Sequence, residues 1–406
     1  MFLTHYFPPE VNAPAARTFE HCRIWVEAGH EVTVVTCAPN HPMGRLYPGY
    51  KNRMWQVEWI EGIRVIRLWV YLAANEGLVH RTLNYLSYFG SVTFQLGRLP
   101  GADVVISTSP QFFCGLAGYV VSWAKRIPWV LEIRDLWPDS IVAVGALPTS
   151  PLIRLLEKFE TFLYRRATRI VSVTRSFCTH IAARGVPAAR IRVITNGVNL
   201  EVYQNPKRDP ELARELGLEG RFIAAYFGTI GMAHRLETVL EAAVLLQDEP
   251  KIALLLVGDG AQRERLQTLA HERHLDNVKI LGQQPRERMP VLWGLADASL
   301  VLLKKSPLFT TVIPSKIFEA MAMERPIILG VDGESREIVE TAGCGIAIEP
   351  ENAAELAQAI RRLAADPELT RQMGANGRRA VVAEYDRSKL AERFAELLQE
   401  VARPAP

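Results

Sequence analysis

Glycine is missing from the one place where a dinucleotide-binding turn would need it. The first strand-like run, Met1 to His5, leads into HYFPPEVNAPAAR without a glycine, and the later VGDGAQRERL run has two glycines but not the third. A G-x-G-x-x-G turn lets a pyrophosphate approach the backbone at a helix start, so its absence argues against a nicotinamide enzyme. Cysteine is also scarce. Cys22, Cys37, Cys114, Cys178 and Cys344 are odd in number and widely spaced, which argues against a disulfide framework or a zinc cluster and for the cell interior.

Strong charge and long apolar runs are absent too. A net charge of +3 is too small for the basic stripe that a nucleic-acid partner requires. No secretory leader is expected, because MFLTHYFPPE turns polar after a few apolar residues. The longest uncharged stretch, Val104 to Ala124, is interrupted by Ser107, Ser109, Pro110 and Gln111, so it reads as a strand, a turn and a short buried helix rather than a membrane span. His271 and His274 share a helix face among charged neighbours with no third ligand in view, and read as solvated.

What is present is alternation. The 406 residues, 49% of them hydrophobic, suffice for two domains with large cores. Strand-like runs such as GHEVTVVT, GIRVIRLWV, ADVVIST, WVLEIRD and RIVSVT alternate with helical patterns, the first helix being expected over Arg17 to Ala28. A second series then starts at RFIAAYFGTIG and continues through KIALLLVGDG, NVKILGQQ and ASLVLLKK. This predicts an α/β protein with two Rossmann-like domains whose parallel sheets are covered on both faces. The expected boundaries are residues 1–198, a polar linker at 199–218 containing Pro206 and Pro210, and 219–385, with the last helix, 386–402, packing back on the first domain. Ligands of such sheets bind at the carboxyl ends of the strands.

The segment TTVIPSKIFEAMAMERPII, Thr310 to Ile328, reads as loop, helix and strand. Pro314 suits a first helical position, with Ser315 and Lys316 leaving amides free at the helix start. Such an end can seat an anion, here a diphosphate held by the Lys316 ammonium, while Glu319 accepts two ribose hydroxyls. The plainer alternative is an i,i+3 ion pair on a core helix, worth about 0.2–0.5 kcal/mol. Elsewhere, Arg134 and Asp135 in EIRDLWPDS follow a strand end. Asp135 is placed to orient or deprotonate an acceptor hydroxyl, Arg134 to bind an acceptor phosphate through its two-pronged fork, and Asp139 is a reserve carboxylate; the alternative is an Arg–Asp pair capping a turn.

Taken in order, HYFPPE, APAAR, GHEVTVVT, PNHPMG, RDLWPDS, NGVN, YFGTIGMAH, VGDG and PSKIFEAMA with RPII resemble the GT-B glycosyltransferases of family 4. The subgroup most resembled is the bacterial surface-polysaccharide enzymes of fucosaminyltransferase type. The resemblance implies the GT-B fold, with two domains facing a central cleft that closes to exclude water. It also implies a retaining transfer from a nucleotide-sugar, UDP-linked and carrying an N-acetylated amino or deoxy sugar, to a polyprenyl-diphosphate-linked saccharide, as in O-antigen assembly, on the cytoplasmic face of the inner membrane. No cofactor is implied. The chain has no D-x-D motif, in keeping with a metal-independent enzyme whose leaving diphosphate is held by helix ends and lysine.

By this resemblance the donor side comprises Gly228, Thr229, Gly231, His234, Arg235, Gly258, Asp259, Pro314, Ser315, Lys316 and Glu319. Glu10 and Asn12, with Arg134 and Asp135, belong to the acceptor side. The chain departs from the family at three places. Thr311 stands where the first of two glutamates is usual, Thr229 and His234 replace an arginine and a lysine, and Arg134 stands where many relatives have a histidine. His234 is then either a partly charged phosphate donor or a surface residue, with Arg235 as a helper of Lys316. A UDP-sugar 2-epimerase and a non-catalytic carbohydrate-binding protein of similar build remain alternatives. Finally, residues 80–98 carry Asn84, Ser87, Ser91 and Gln95 in one narrow stripe with apolar residues around the rest and Arg81 and Arg98 at the flanks. The helix is either a core element or one that dips into a bilayer interface.

Overall fold

A computed structural model of the protein describes residues 1–74, 78–109, 111–138, 151–204 and 207–402. Asp139 and Pro110 lie outside the described residues. The chain divides into two compact units, Met1–Thr195 with Arg387–Pro406, and Asn196–Asp386.

The first unit is built on an eight-stranded sheet. Its strands are β1 (Phe2–Leu3), β2 (Thr33–Cys37), β3 (Gln56–Ile60), β4 (Ile63–Leu68), β5 (Val105–Thr108), β6 (Trp129–Ile133), β7 (Arg169–Ser172) and β8 (Ile191–Val193), in the order 3-4-2-1-5-6-7-8. All pairs are parallel except β3 with β4. The sequence reading missed β3, an edge strand with one residue in two toward solvent. Its signal was the Glu61-Gly62 pair, whose positive φ values of 46° and 77° are those of a tight hairpin turn.

Helix α1 (Ala13–Glu27) starts four residues before the expected Arg17. Asn12 caps it by accepting the Ala15 amide at 2.9 Å, and Pro14 falls in the first turn, where no amide is needed. Helix α2 (Leu78–Phe94) and helix α3 (Phe112–Lys125) pack against each other. At fourteen residues α3 is not the short helix expected. The helix Arg387–Ala402 buries Leu390, Phe394 and Leu397 against Trp25 of α1, whose indole N–H donates to the Ala391 carbonyl at 2.8 Å.

The second unit has six parallel strands, β9 (Phe222–Phe227), β10 (Ile252–Val257), β11 (Val278–Leu281), β12 (Ala298–Leu302), β13 (Ile327–Gly330) and β14 (Gly345–Ala347), in the order 11-10-9-12-13-14. Every residue of β10, IALLLV, is buried, as a parallel strand covered on both faces requires. The order reverses between β9 and β12, which makes the loops after these strands the natural ligand crevice.

Residues 199–218 are not simply a linker. Asp209 caps a helix, Pro210–Glu215, by accepting the amides of Glu211 and Leu212, and Leu212, Ala213 and Leu218 enter the core of the second unit. Arg208 fixes the segment through Asp297 at 3.1 Å. Three apolar side chains anchor this otherwise mostly exposed stretch to the core.

Candidate functional site

In the second unit the expected donor residues cluster around the ends of β9 and β10. The two following loops touch backbone to backbone. The Gly228 amide donates to Val257 at 3.0 Å, the Ile230 amide to Asp259 at 2.9 Å and the Gln262 amide to Ile230 at 3.0 Å. Gly258 has φ of 150°, and a Cβ there would lie 1.8 Å from the Gly228 carbonyl oxygen. The glycine of VGDG is therefore needed for this loop contact itself. Asp259 serves its own turn, accepting the Gly260 amide at 2.8 Å and pairing with Arg263 at 3.2 Å. Thr229 is exposed, and its carbonyl accepts the Tyr226 hydroxyl at 2.7 Å. Gly231 immediately precedes the 3-10 turn Met232–His234.

Lys316 reaches this place from the other side. Its ammonium is buried, has no hydrogen-bond partner among the described residues, and lies 3.9 Å from the centroid of the Tyr226 ring and 3.2 Å from where a Cβ of Gly228 would be. Burial pulls its pKa down to about 7, against the opposing pull of Glu319. The aromatic face offers partial compensation. Tyr226 was not among the residues singled out from sequence, because a single tyrosine in the strand FIAAYF looks like core.

The helix start differs from the expectation. The helix runs Lys316–Ala322, Ser315 is its cap residue and Pro314 lies before it. The amides of Ile317 and Phe318 donate to the carbonyls of Pro314 and Ser315 at 3.1 and 3.0 Å. With the Ile317 and Phe318 amides used and only seven residues in the helix, the helix end offers an anion little beyond the Lys316 side chain. Glu319, half-buried, lies one turn on. The Thr311 hydroxyl turns back to the Leu308 carbonyl at 2.7 Å.

Burial leaves His234 uncharged in the free protein. Burial, and then the nearby Lys316, lower its pKa to about 4, and its Nδ1 lies 3.3 Å from the Leu302 carbonyl oxygen. The imidazole is neutral at physiological pH, when that nitrogen can donate. Arg235 is engaged by Glu237 and Glu351, each at 3.5 Å, so its charge is already answered.

In the first unit Arg134 and Asp135 follow β6, and both their amides donate to the Ser109 hydroxyl, at 2.7 and 3.2 Å. The Nε and Nη1 of Arg134 are buried without a hydrogen-bond partner among the described residues, and burial lowers its pKa to about 10. Glu10 does not line a crevice. It is 5% exposed, and its carboxylate accepts the amides of Phe7, Asn40 and His41, so it braces the loop after β2. Asn12 is used as the cap of α1, with only its Nδ2 left unpartnered. His271 and His274 are exposed, and among the described residues no group of side chains is arranged to hold a metal ion.

Two family models match the chain, one described as glycosyl transferases group 1 over residues 208–380, the other as a glycosyl transferase 4-like domain over residues 12–197. The chain is a glycosyltransferase of the GT-B type. The transferase is 26% identical over 368 residues to the putative colanic acid biosynthesis glycosyl transferase WcaI of Escherichia coli (strain K12), covering 88% of this chain and 89% of that one. Its fold is similar to that of sucrose-phosphate synthase from Thermosynechococcus elongatus, with a TM-score of 0.74, 20% identity and 98% of each chain covered. It is also similar to Anabaena HepE, solved in complex with UDP-glucose, with a TM-score of 0.71, 18% identity and 98% of each chain covered.

Among the described residues of the transferase no helix is long and apolar enough to cross a membrane. Helix α2 nonetheless buries polar side chains beside Tyr88 and Val92 and leaves apolar ones outside. Its polar stripe faces inward: Asn84 donates to the Tyr71 carbonyl at 2.6 Å, Ser91 to Trp69 at 2.7 Å and Gln95 to Met54 at 3.3 Å, while Ser87 accepts the Tyr71 amide at 2.8 Å. Val79, Leu83, Leu86 and Phe94 are exposed, Phe94 to 77%, and Trp123 of the neighbouring α3 to 73%.

Proposed function

We propose that the transferase moves a sugar, with retention of configuration, from a UDP-sugar to a polyprenyl-diphosphate-linked saccharide in surface-polysaccharide assembly. The sugar is an N-acetylated amino or deoxy sugar of the fucosaminyl type. The observation that carries this reading is the buried Lys316 ammonium, unpartnered among the described residues and facing a glycine loop. A cation that burial has brought to the edge of neutrality gains most from an anion placed against it. The diphosphate of the donor is that anion, and it carries the growing negative charge when the sugar leaves. WcaI, named for colanic acid biosynthesis, and HepE, solved in complex with UDP-glucose, support the pathway and the donor.

In this reading Glu319 accepts ribose hydroxyls, Arg134 binds the acceptor diphosphate and Asp135 orients the attacking hydroxyl. Lys316 supplies the positive charge that a metal supplies in transferases with a D-x-D pair, which this sequence lacks. A thermal-shift panel of UDP, GDP and TDP tests the donor site, since a ligand at a hundred times its Kd adds about 2.7 kcal/mol of stability. UDP should give the largest shift. Glu319→Ala should lose about 1.5–3 kcal/mol in donor kcat/KM for each charge-assisted hydrogen bond removed, roughly 10–150-fold. A normal transfer rate in that variant would refute the ribose assignment. Inversion of a UDP-sugar without acceptor would instead reveal an epimerase.

The peripheral membrane contact belongs to the same reading. An apolar helix face flanked by Arg81 and Arg98, with no acidic residue from Gly77 to Ala102, suits an anionic bilayer surface. The transferase should sediment with phosphatidylglycerol vesicles and not with phosphatidylcholine vesicles. Leu86→Glu with Phe94→Glu should weaken that binding by about tenfold or more while leaving the UDP-induced thermal shift unchanged. Equal sedimentation of the variant and the parent would remove α2 from the membrane.

A further inference from the structure

The polypeptide passes between its two units twice, from Thr195 to Asn196 and from Asp386 to Arg387. Within the second unit the two passages are joined to each other. Val198 and Asp386 form a parallel bridge, and the Val198 amide donates to the Tyr385 carbonyl at 3.0 Å. Within the first unit they are held separately, and both by α1. Arg17 donates through Nη1 to the Thr195 carbonyl at 2.8 Å and through Nη2 to the Ile194 carbonyl at 3.2 Å. Glu20, three residues on and so on the same helix face, accepts from the Arg387 guanidinium. Both α1 side chains are almost wholly buried.

The grip of Arg17 is rooted in the sheet. Its Nε donates to Glu132 at 3.0 Å, and the other carboxylate oxygen of Glu132 accepts the Thr108 hydroxyl at 2.6 Å. Burial pushes the Glu132 carboxyl upward, but Arg17 and Arg134 more than offset it, so the group stays charged. His21, beside the same arginines, is held neutral by burial. A planar guanidinium with three of its donor directions spent in three different directions has one orientation left. Glu132 lies on β6 two residues before Arg134, which follows the strand's end, so the strand that leads into the candidate acceptor arginine also anchors the first passage.

We propose that α1 is a clamp on the chain crossings: Arg17 and Glu20 are positioning residues that fix the two interdomain passages against the sheet of the first unit. Any movement of one unit on the other passes through these two covalent links. A helix that holds both, one turn apart, makes them a pair with a fixed separation rather than two free strands. The clamp rests on the transferase reading only for its use in catalysis; its existence can be tested without any ligand.

Hydrogen exchange read by mass spectrometry decides it, on the full chain. Arg17→Lys keeps a charge beside Glu132 but replaces the fork by a single ammonium. It should speed exchange at residues 194–198 by about tenfold or more, with the amides of β5 and β6 unchanged. Glu20→Gln should do the same at residues 387–391 while leaving residues 194–198 as they were. A merely structural role would raise exchange throughout the first unit, and that uniform rise, or wild-type exchange at both passages, overturns the clamp. If Arg17→Lys does not fold, Glu20→Gln still decides, because it leaves the Arg17–Glu132 pair intact. UDP should bind both variants as it binds the parent, since Lys316 lies in the other unit. Failure of the parent to bind UDP would sink the donor assignment and leave the exchange result standing.

Discussion

Lys316→Met is expected to raise the melting temperature of the protein and to weaken UDP binding at the same time. The amine nitrogen is buried beside the Tyr226 ring without a hydrogen-bond partner among the described residues, and an unsatisfied buried group costs about 1–3 kcal/mol. Methionine has a similar length, has no group to desolvate and makes favourable sulfur contacts with an aromatic ring. A domain of this size gains roughly 2–4 °C for each kcal/mol. Loss of a charge-assisted contact to the diphosphate should cost about 1.5–3 kcal/mol of binding, or about 10–150-fold in Kd. Differential scanning calorimetry and isothermal titration with UDP read the two effects on the same sample. A variant that is less stable than the parent, or that binds UDP as well, would show that the amine is already satisfied in the free protein.

The pH dependence should be as large and should have two opposite slopes. Burial holds the folded-state pKa of Lys316 at about 7, whereas an unfolded lysine titrates at about 10.4. Between these values the unfolded chain carries a proton that the folded one lacks. This contribution to stability therefore rises with pH from about 7 to about 10 and is flat below it. UDP binding runs the other way, because the diphosphate needs the ammonium. Above about pH 7 the protonated fraction of the free protein falls, from about half at pH 7 toward a tenfold loss per unit, so Kd should rise by up to about 50-fold between pH 7 and 9, with proton uptake on binding. Titration calorimetry in buffers of different ionisation enthalpy measures that uptake directly. In Lys316→Met both slopes should vanish together; a UDP affinity that is flat across this range in the parent would remove Lys316 from the diphosphate site.

The alternation of strands and helices was legible because parallel strands such as β10 are apolar throughout and are separated by helices with clear stops. Lys316 was singled out because PSKIFEAMA resembles the family's segment, since by itself an i,i+3 pair with Glu319 on a core helix would read the same way. The places where the reading failed share a cause, which is that side-chain direction and hydrogen-bond saturation are not written in the order of residues. Glu10 and Asn12 lie in the loop after β1, where ligands of open sheets bind, yet Glu10 turns inward to three backbone amides and Asn12 closes a helix. His234 follows a glycine loop but is buried next to a cation, which leaves it neutral. In α2 the period was read correctly while the face was not determined. A stripe of Asn, Ser and Gln can point inward when a neighbouring irregular segment offers carbonyls at Trp69 and Tyr71, and nothing local in the sequence announces those partners.

The two glycine loops after β9 and after β10 have a practical consequence for engineering. Gly258 rests on the Gly228 peptide and three backbone hydrogen bonds stitch the turns together, so exchanging one alone should disturb the other. Chimeras that exchange one loop should carry the other with it, and libraries across these loops should hold Gly258 fixed, because any side chain there meets the Gly228 carbonyl.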